Sequence, residues 1–152
     1  MSSEEMKAVV RRHLEEMWHA GNLEIAEEIC TDNLSYNDPA SSSVISLASY
    51  VTYIEAVRKA YPDLRYIIYD MIAEGDKVMV RWGFEGTHKG MIRGIPATGR
   101  KVHFTGMSQY TFVEGLIGEA WTNWDTYGYL QQLGAIPTQR RMNGNKALRA
   151  ET

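Results

Sequence analysis

The sequence has few of the residues and motifs that form a disulfide, bind a metal or hold another cofactor. Cys30 is the one cysteine among 152 residues, so the chain cannot form an internal disulfide. No cluster of histidine, aspartate and glutamate has the spacing of a metal site, and no glycine-rich loop follows a strand and opens a helix as in nucleotide-binding sites. We therefore expect neither a metal nor another cofactor.

The net charge is small and long apolar runs are missing, and each of these observations excludes a further class of protein. The net charge of −3 argues against nucleic acid as the main partner. No apolar run approaches the ~20 residues that a membrane span needs. The first residues, MSSEEMKAVVRR, contain no signal-peptide core. The expectation from these observations is a cytoplasmic protein with no membrane partner.

The hydrophobic pattern predicts helices first and strands afterwards. Apolar residues repeat at helical spacing up to Pro62, and the period then changes to two. Ser3 is the expected cap of the first helix, and a short strand is expected in TDNLSYNDP. The predicted helices cover residues 3–20, 22–30, about 46–61 and about 126–133. The predicted strands after Pro62 cover residues 64–73, 77–88, 101–113 and 116–124.

This order of elements is typical of an α+β domain. A strongly twisted antiparallel sheet with helices on one face can curl into a cone around a cavity. We assign residues 1–136 to one such domain, and residues 137–152 to a polar tail that we expect to be mobile. Two of the connections are short hairpin turns, whereas the third, KGMIRGIPATGR, is long and holds three glycines and a proline.

Alternation within the strands assigns an inner and an outer face of the sheet. The outer face carries Met79, Met107 and Trp121, which are apolar for a fully exposed surface and predict a homodimer through that face. Asp125 follows on the same side directly before TYGYLQQLG, where it is the expected helix N-cap. The inner face is predicted to carry Val78, Val80, Trp82, Phe84, Val102, Phe104, Gly106, Ser108, Tyr110, Phe112, Ala120, Thr122 and Trp124.

Five stretches occur in a specific order: HAGNLEIAEEICTDNLSYNDP, VRWGFEGTHKG, GIPATGRKVHFTG, EAWTNWD and GYLQQLG. Together they resemble the SnoaL-like polyketide cyclases and the relatives often called ester cyclases, within the fold group of nuclear transport factor 2 and ketosteroid isomerase. The resemblance covers about residues 6–136. It implies a cone-shaped domain in which a curved antiparallel sheet wraps around a pocket closed by N-terminal helices.

The resemblance also implies where catalytic groups belong. In the cyclases, an acidic residue on the last strand moves a proton between substrate carbons, helped by a histidine on the preceding strand. These positions fall on Thr122 and Ser108 here, so the acid of the cyclases and its helper are both missing. Relatives commonly read WDNWD where this chain reads WTNWD.

A second resemblance supplies another carboxylate. The segment GNLEIAEEICTDNLSYNDP is similar to the ketosteroid isomerases, whose general base is the aspartate of an Asp-Pro pair, and that position falls on Asp38. At the mouth of an apolar cavity, Asp38 could take a carbon-bound proton near neutral pH. The alternative is that Asp38 only forms the turn before Ser41. The tyrosine of the isomerase oxyanion site falls on Leu14, so that machinery is incomplete as well.

Several aromatic and polar side chains are candidates for substrate binding. Flat aromatic walls suit planar polyketide or terpenoid rings, although each ring can equally be part of an ordinary core. The hydroxyl and amide groups among the candidates could orient substrate oxygens or bond a neighbouring backbone carbonyl. The candidate substrate contacts are Trp18, Tyr36, Asn37, Tyr53, Trp82, Ser108, Tyr110, Thr122 and Trp124.

Two functions remain open at this point. The first is a cofactor-independent enzyme that cyclises, isomerises or rearranges an apolar polyketide- or terpenoid-like small molecule, with Asp38 as the proton carrier. The second is a non-catalytic binding protein for a hydrophobic small molecule, which the missing acid at Thr122 and helper at Ser108 favour.

Overall fold

A computed structural model describes residues 1–41 and 43–138, so most of the predicted tail, residues 139–152, lies outside the described residues. One five-stranded sheet forms the centre of the fold. Its strands are β1 (Cys30–Asn37), β2 (Arg65–Glu74), β3 (Lys77–Thr87), β4 (Lys101–Val113) and β5 (Leu116–Trp124). The observed helices and strands therefore confirm the predicted α+β class.

The sheet order is β1-β5-β4-β3-β2, so β1 and β2 are the two edges and the sheet is not closed. Strands β2 to β5 form the antiparallel meander that the period-two pattern predicts. Strand β1 differs, because it pairs with β5 in parallel. Irregularities at Ile68/Asp70 in β2 and at Thr111/Phe112 in β4 interrupt the register, and such bulges bend a sheet. The sheet is curved as a result.

The helices are α1 (Ser3–Arg12), a π-helix (His13–His19), a 3₁₀ turn (Leu23–Ile25), α2 (Ala26–Ile29), α3 (Leu47–Ala60) and α4 (Thr126–Gln132). The N-terminal segments and α3 lie against the inner face of the sheet, where their apolar stripe is buried. Among the described residues, we find no helix long and apolar enough to cross a membrane.

The start of α1 corrects one sequence expectation. Ser2, not Ser3, is the N-cap. The Ser2 hydroxyl accepts a hydrogen bond from the backbone N–H of Glu5 at 3.1 Å, and the Glu5 carboxylate accepts one from the backbone N–H of Ser2 at 3.0 Å. This reciprocal pairing needs a glutamate three residues after the cap. Ser2 has that partner, whereas Ser3 is followed at that spacing by Met6.

The first helix changes its winding where the sequence predicts an uninterrupted α-helix. From His13 the backbone bonds are those of a π-helix, and the N–H of Ala20 donates to the carbonyl oxygen of Glu15 at 3.0 Å. The wider turn buries His13, Leu14, Met17 and Trp18 together. π segments often occur at functional sites, and this one supplies an aromatic wall to the interior.

The strands alternate as predicted between an inner and an outer face. In β3 and β4 the inner residues are buried, and Trp124 of β5 is partly buried, whereas Met107 and Trp121 on the outer face are about half exposed. Cys30 is a small core residue, and burial raises the pKa of its thiol to about 12. Asp125 caps α4, since its carboxylate accepts a hydrogen bond from the backbone N–H of Gly128 at 2.9 Å.

Candidate functional site

A narrow cavity lies between the inner face of the sheet and the helices. Its free volume is about 20 Å³, which is room for about one water molecule. Aromatic rings form most of its wall. The lining residues are Trp18, Tyr36, Asp38, Tyr53, Val57, Tyr61, Tyr66, Trp82, Phe84, Arg93, Phe104, Thr122 and Trp124.

Seven of the ten site residues predicted from sequence line this cavity: Asp38, Trp18, Tyr36, Tyr53, Trp82, Thr122 and Trp124. The other three lie beside it. Asn37 donates from its amide to the hydroxyl of Ser35 and to the backbone carbonyl of Ala120, so its side chain joins β1 to β5. Tyr110 packs edge-on against His13 with ring centroids 5.2 Å apart. Ser108 lies behind the wall, where its hydroxyl contacts the lining residues Thr122 and Trp82.

Asp38 is buried, and its carboxylate both forms the turn after β1 and lines the cavity. Its side chain is 2% exposed and lines the cavity. The indole N–H of Trp124 donates to both carboxylate oxygens, at 3.0 Å and 3.2 Å, and the backbone N–H of Ala40 donates to Oδ1 at 2.9 Å. The Ala40 bond forms the turn after β1, while the Trp124 bond fixes the carboxylate beside the cavity.

The positions that correspond to the cyclase acid and its helper form a neutral network. The hydroxyls of Ser108 and Thr122 are 2.8 Å apart, and the indole N–H of Trp82 donates to Ser108 at 2.9 Å. Both hydroxyl residues are 3% exposed. Neither hydroxyl is acidic or basic enough to exchange a carbon-bound proton by itself near neutral pH.

His13 extends this neutral region into the π-helix. Its Nε2 is 2.7 Å from the hydroxyl of Tyr50, which also accepts a hydrogen bond from the indole N–H of Trp18 at 2.9 Å. Burial lowers the pKa of His13 to about 3, and its Nδ1 has no hydrogen-bond partner within the described part of the chain. We call His13, Tyr50, Ser108 and Thr122 the inner end of the site.

Two tyrosines of the wall, Tyr36 and Tyr66, are also neutral. Burial, followed by the nearby tyrosines and Asp38, raises the pKa values of Tyr36 and Tyr66 well above the ordinary value. These phenols therefore keep their protons at any physiological pH. They can donate hydrogen bonds to a ligand oxygen, but they cannot serve as bases.

Arg93 is a charged residue of the cavity wall that sequence reasoning missed. It lies in the long connection between β3 and β4, and its guanidinium enters the cavity wall. It donates to the hydroxyl of Tyr53 at 2.8 Å, and its Cζ lies 5.0 Å from the centre of the Trp124 ring and 5.4 Å from that of Tyr129. We call Asp38, Arg93 and Trp124 the mouth of the site.

A tight turn aims Arg93 inward. The backbones of Ile92 and Ile95 exchange both hydrogen bonds, at 3.2 Å and 2.9 Å, across a two-residue turn. The φ angles of Arg93 and Gly94 are 52° and 74°, as a type I′ turn requires. Gly94 adopts this conformation freely, but for arginine the left-handed region costs about 1–2 kcal/mol. The Arg-Gly pair between two isoleucines, within a glycine-rich connection, is the sequence signal for this residue.

The described residues offer no group of three or more histidine, cysteine, aspartate or glutamate side chains that could hold a metal ion. The one carboxylate in the cavity wall, Asp38, already accepts three hydrogen bonds. The site is therefore one carboxylate and one guanidinium in an aromatic wall, with neutral hydroxyls behind them.

Comparison with known proteins places the chain among polyketide cyclases. The profile of the SnoaL-like polyketide cyclase family matches residues 8–133. No functionally curated protein sequence matches. A solved polyketide cyclase homologue from Acidithiobacillus ferrooxidans is 29% identical, with a TM-score of 0.74 over 89% of this chain and 99% of that one.

Two further solved structures share the architecture. AclR from Streptomyces galilaeus, assigned as a hydroxylase, is 27% identical with a TM-score of 0.77, over 90% of this chain and 100% of that chain. A SnoaL-like protein from Jannaschia sp. CCS1 is 20% identical with a TM-score of 0.81, over 89% of this chain and 95% of that chain, which shows the shared fold. On the strength of the profile match across most of its length, this chain belongs to the SnoaL-like polyketide cyclase family.

Proposed function

We propose that the protein is a cofactor-independent enzyme that cyclises, isomerises or rearranges an apolar polyketide- or terpenoid-like ketone. The observation that carries this proposal is the buried carboxylate of Asp38, fixed by the indole N–H of Trp124 at the wall of an aromatic cavity. A carboxylate held out of water and away from a cation partner is suited to general-base catalysis on a C–H group.

In this mechanism Asp38 takes a proton from a carbon next to the substrate carbonyl. The resulting enolate either receives the proton back at another carbon, which is isomerisation, or attacks a second carbonyl group, which is cyclisation. Tyr53 and Thr122 lie in the same wall and can donate hydrogen bonds to substrate oxygens. The family to which the chain belongs supports this class of substrate.

The small volume of the cavity sets a condition on substrate entry. Pockets for ring-bearing ligands measure about 300–1,000 Å³, far more than the about 20 Å³ found here. Part of the wall must move aside for a substrate to bind. The turn that carries Arg93 is the natural moving part, because the guanidinium is held by side-chain contacts alone, namely hydrogen bonds to three hydroxyl groups and stacking on the rings of Trp124 and Tyr129.

The test is proton exchange on a probe ketone. β-Tetralone has an aromatic ring and acidic C–H groups beside its carbonyl, and their exchange in deuterated water is followed by proton NMR. The protein should accelerate exchange, and Asp38→Asn should remove about 10²–10⁴-fold of that acceleration. Asp32→Asn is the matched control, because Asp32 lies on β1, the strand that precedes Asp38, but is exposed. An exchange rate that Asp38→Asn leaves unchanged would exclude Asp38 from the mechanism.

The second candidate is a non-catalytic binding protein for a hydrophobic small molecule. The neutral hydroxyl pair of Ser108 and Thr122, at the positions of the cyclase acid and helper, favours it. The same experiment separates the two functions. A wild-type chain that binds β-tetralone but exchanges its protons no faster than buffer does would support binding alone.

We also propose that the chain forms a homodimer through the outer face of the sheet. Ile72, Met107 and Trp121 on this face are 65%, 53% and 50% exposed. Apolar side chains so exposed on neighbouring strands favour a protein partner, and a second copy presents the same surface. Trp121→Glu should shift the mass measured by light scattering from dimer to monomer. A monomeric mass of the wild type at micromolar concentration would contradict the proposal.

A further inference from the structure

The guanidinium of Arg93 is a cation that faces the cavity without an anionic partner. Within residues 1–41 and 43–138, no carboxylate oxygen lies within 4 Å of it. Its polar neighbours are hydroxyl groups, of Tyr53 at 2.8 Å and of Tyr129 and Ser41 at 3.4 Å each. A guanidinium carries five N–H donors in a planar fork, and the two long contacts leave part of that capacity unused.

Trp124 contacts both Arg93 and Asp38, and the two side chains do not form an ion pair with each other. Asp38 binds the N–H edge of the indole, and Arg93 lies over its ring face. The two charged groups are not ion-paired, although both line the same cavity. A general base thus lies beside an uncommitted cation, which is the arrangement that proton removal next to a carbonyl requires.

We propose that Arg93 binds the oxyanion formed when Asp38 removes a proton from carbon, so that the substrate is a ketone or β-dicarbonyl compound whose enolate oxygen lies against the guanidinium. This inference rests on the proposed role of Asp38 as the base. It adds the substrate class, because an anion-binding guanidinium selects compounds that form a delocalised oxyanion over neutral hydrocarbons and ethers.

The step balances with the groups present. The C–H bond breaks and its proton goes to the carboxylate of Asp38. The electron pair of that bond forms the carbon–carbon double bond, and the π pair of the carbonyl moves onto its oxygen. Arg93 donates N–H hydrogen bonds to this oxygen, and such charge-assisted bonds are about twice as strong as neutral ones. Nothing is oxidised or reduced, so no further reactant is needed.

The direction of the Arg93 side chain distinguishes it from another residue of the same backbone type. Glu114 has nearly the same φ angle, 51°, before Gly115 in the β4–β5 hairpin turn, but its side chain is exposed to solvent. The turn at Arg93 exposes Gly94 while directing the neighbouring guanidinium inward. The charged side chain of this turn is therefore part of the cavity wall.

The inference is tested by binding, without catalysis. Dimedone is a β-dicarbonyl compound that is largely ionised at neutral pH, and its O-methyl enol ether is a neutral analogue of nearly the same shape. Isothermal titration calorimetry measures the affinity of each probe. Wild type should bind the dimedone anion about tenfold or more tightly than the ether, as expected for one charge-assisted hydrogen bond.

Arg93→Gln should abolish this preference, because it should weaken the binding of the dimedone anion while changing the affinity for the ether by no more than about twofold. Arg93→Lys should recover part of the preference. Lys89→Gln, which removes the same charge from an exposed position of the same connection, should change neither affinity. Thermal unfolding confirms that each variant is folded. Three results would each overturn the inference: equal affinity of the wild type for both probes, no binding of the anion by the wild type, or an equal loss of affinity for both probes in Arg93→Gln. Exchange of β-tetralone that depends on Asp38 would then still stand, so the two proposals fail separately.

Discussion

The inner end of the site and its mouth are built from different chemical groups. At the inner end, the hydroxyls of Ser108 and Thr122 bond each other, and His13 is held neutral by burial. At the mouth, a carboxylate and a guanidinium share one indole without pairing. The inner end is where the cyclase resemblance places catalytic groups, but the carboxyl and guanidinium groups of the cavity wall, Asp38 and Arg93, are at the mouth.

The difference follows from what each region can tolerate. Buried polar groups are stable when they satisfy one another, and a pair of hydroxyls beside the Trp82 N–H does so without any charge. A lone buried carboxylate needs several donors, and Asp38 obtains them from Trp124 and from the turn after β1. A buried carboxylate at another position of the cavity would therefore need hydrogen-bond donors at that position as well.

The largest effect is expected from forcing a charge into the inner end. Thr122→Asp places a carboxylate where only Ser108 is within reach, and it should lower the free energy of unfolding at neutral pH by about 3 kcal/mol or more. Urea unfolding measures the loss. Thr122→Asn, of similar shape and neutral, is the control and should cost clearly less. If the two variants are equally stable, the inner end accepts charge and the contrast with the mouth fails.

The next effect is the pH dependence contributed by His13. Its folded pKa of about 3 lies below the ordinary 6.5, so the unfolded chain takes up the proton first as the pH falls. The contribution of neutral His13 to the unfolding free energy is fully present above pH 6.5 and is lost toward pH 3. The slope of this loss approaches about 1.4 kcal/mol per pH unit. Between pH 6.5 and 4 the loss should be about 3 kcal/mol.

His13→Phe isolates this contribution. The variant keeps a ring against Tyr50 and Tyr110 but has no group to protonate. The difference in unfolding free energy between wild type and variant, measured by urea unfolding from pH 7 to 4, should change steadily in favour of the variant. A constant difference over this range would show that His13 is accessible to protons in the folded state.

A smaller effect is expected at the mouth from Trp124→Phe. The change keeps an aromatic ring under Arg93 but removes the N–H that donates to Asp38, which should cost about 1–3 kcal/mol of unfolding free energy. Tyr127→Phe is the control, because it removes a polar group from an aromatic ring that is 57% exposed. Equal stability losses in both variants would mean that the hydrogen bond to Asp38 contributes little.

The smallest effect is expected from Tyr53→Phe, which removes the 2.8 Å hydrogen bond that holds Arg93 in the wall. The cost should be about 0.5–1.5 kcal/mol in unfolding free energy. If the turn moves to admit ligands, the variant should also bind β-tetralone faster, as measured by stopped-flow fluorescence of the cavity tryptophans. An unchanged association rate would indicate that the Arg93 contact does not limit entry.

Sequence reasoning succeeded where a repeating pattern carried the information. Alternation fixed the strands after Pro62 and placed Trp82 and Thr122 on the inner face, because side chains on a strand must alternate. It failed where one residue decides the geometry. The direction of Arg93 depends on two φ angles in a turn, and the parallel pairing of β1 depends on the path of the chain after Ser35. Neither leaves a periodic trace.

The widened winding from His13 to His19 has the same explanation. Apolar spacing of three and four residues fits an α-helix. The hydrogen bonds of the π-helix each span one more residue, and the apolar spacing does not reveal this difference. The resemblance to known families identified Asp38, whereas composition and spacing alone left it as a turn residue. Its catalytic role remains a proposal.

The burial of Cys30 allows an introduced cysteine to be labelled selectively. A thiol with a pKa of about 12 hardly reacts with maleimides at neutral pH, and the chain has no second cysteine. A cysteine introduced at Met91, which is 69% exposed beside the Arg93 turn, would therefore carry a fluorophore at one known position. Two residues further on, Arg93 lies 5.0 Å from the ring of Trp124, and tryptophan quenches many dyes on contact, so the emission of a single labelled molecule would report any opening of the turn.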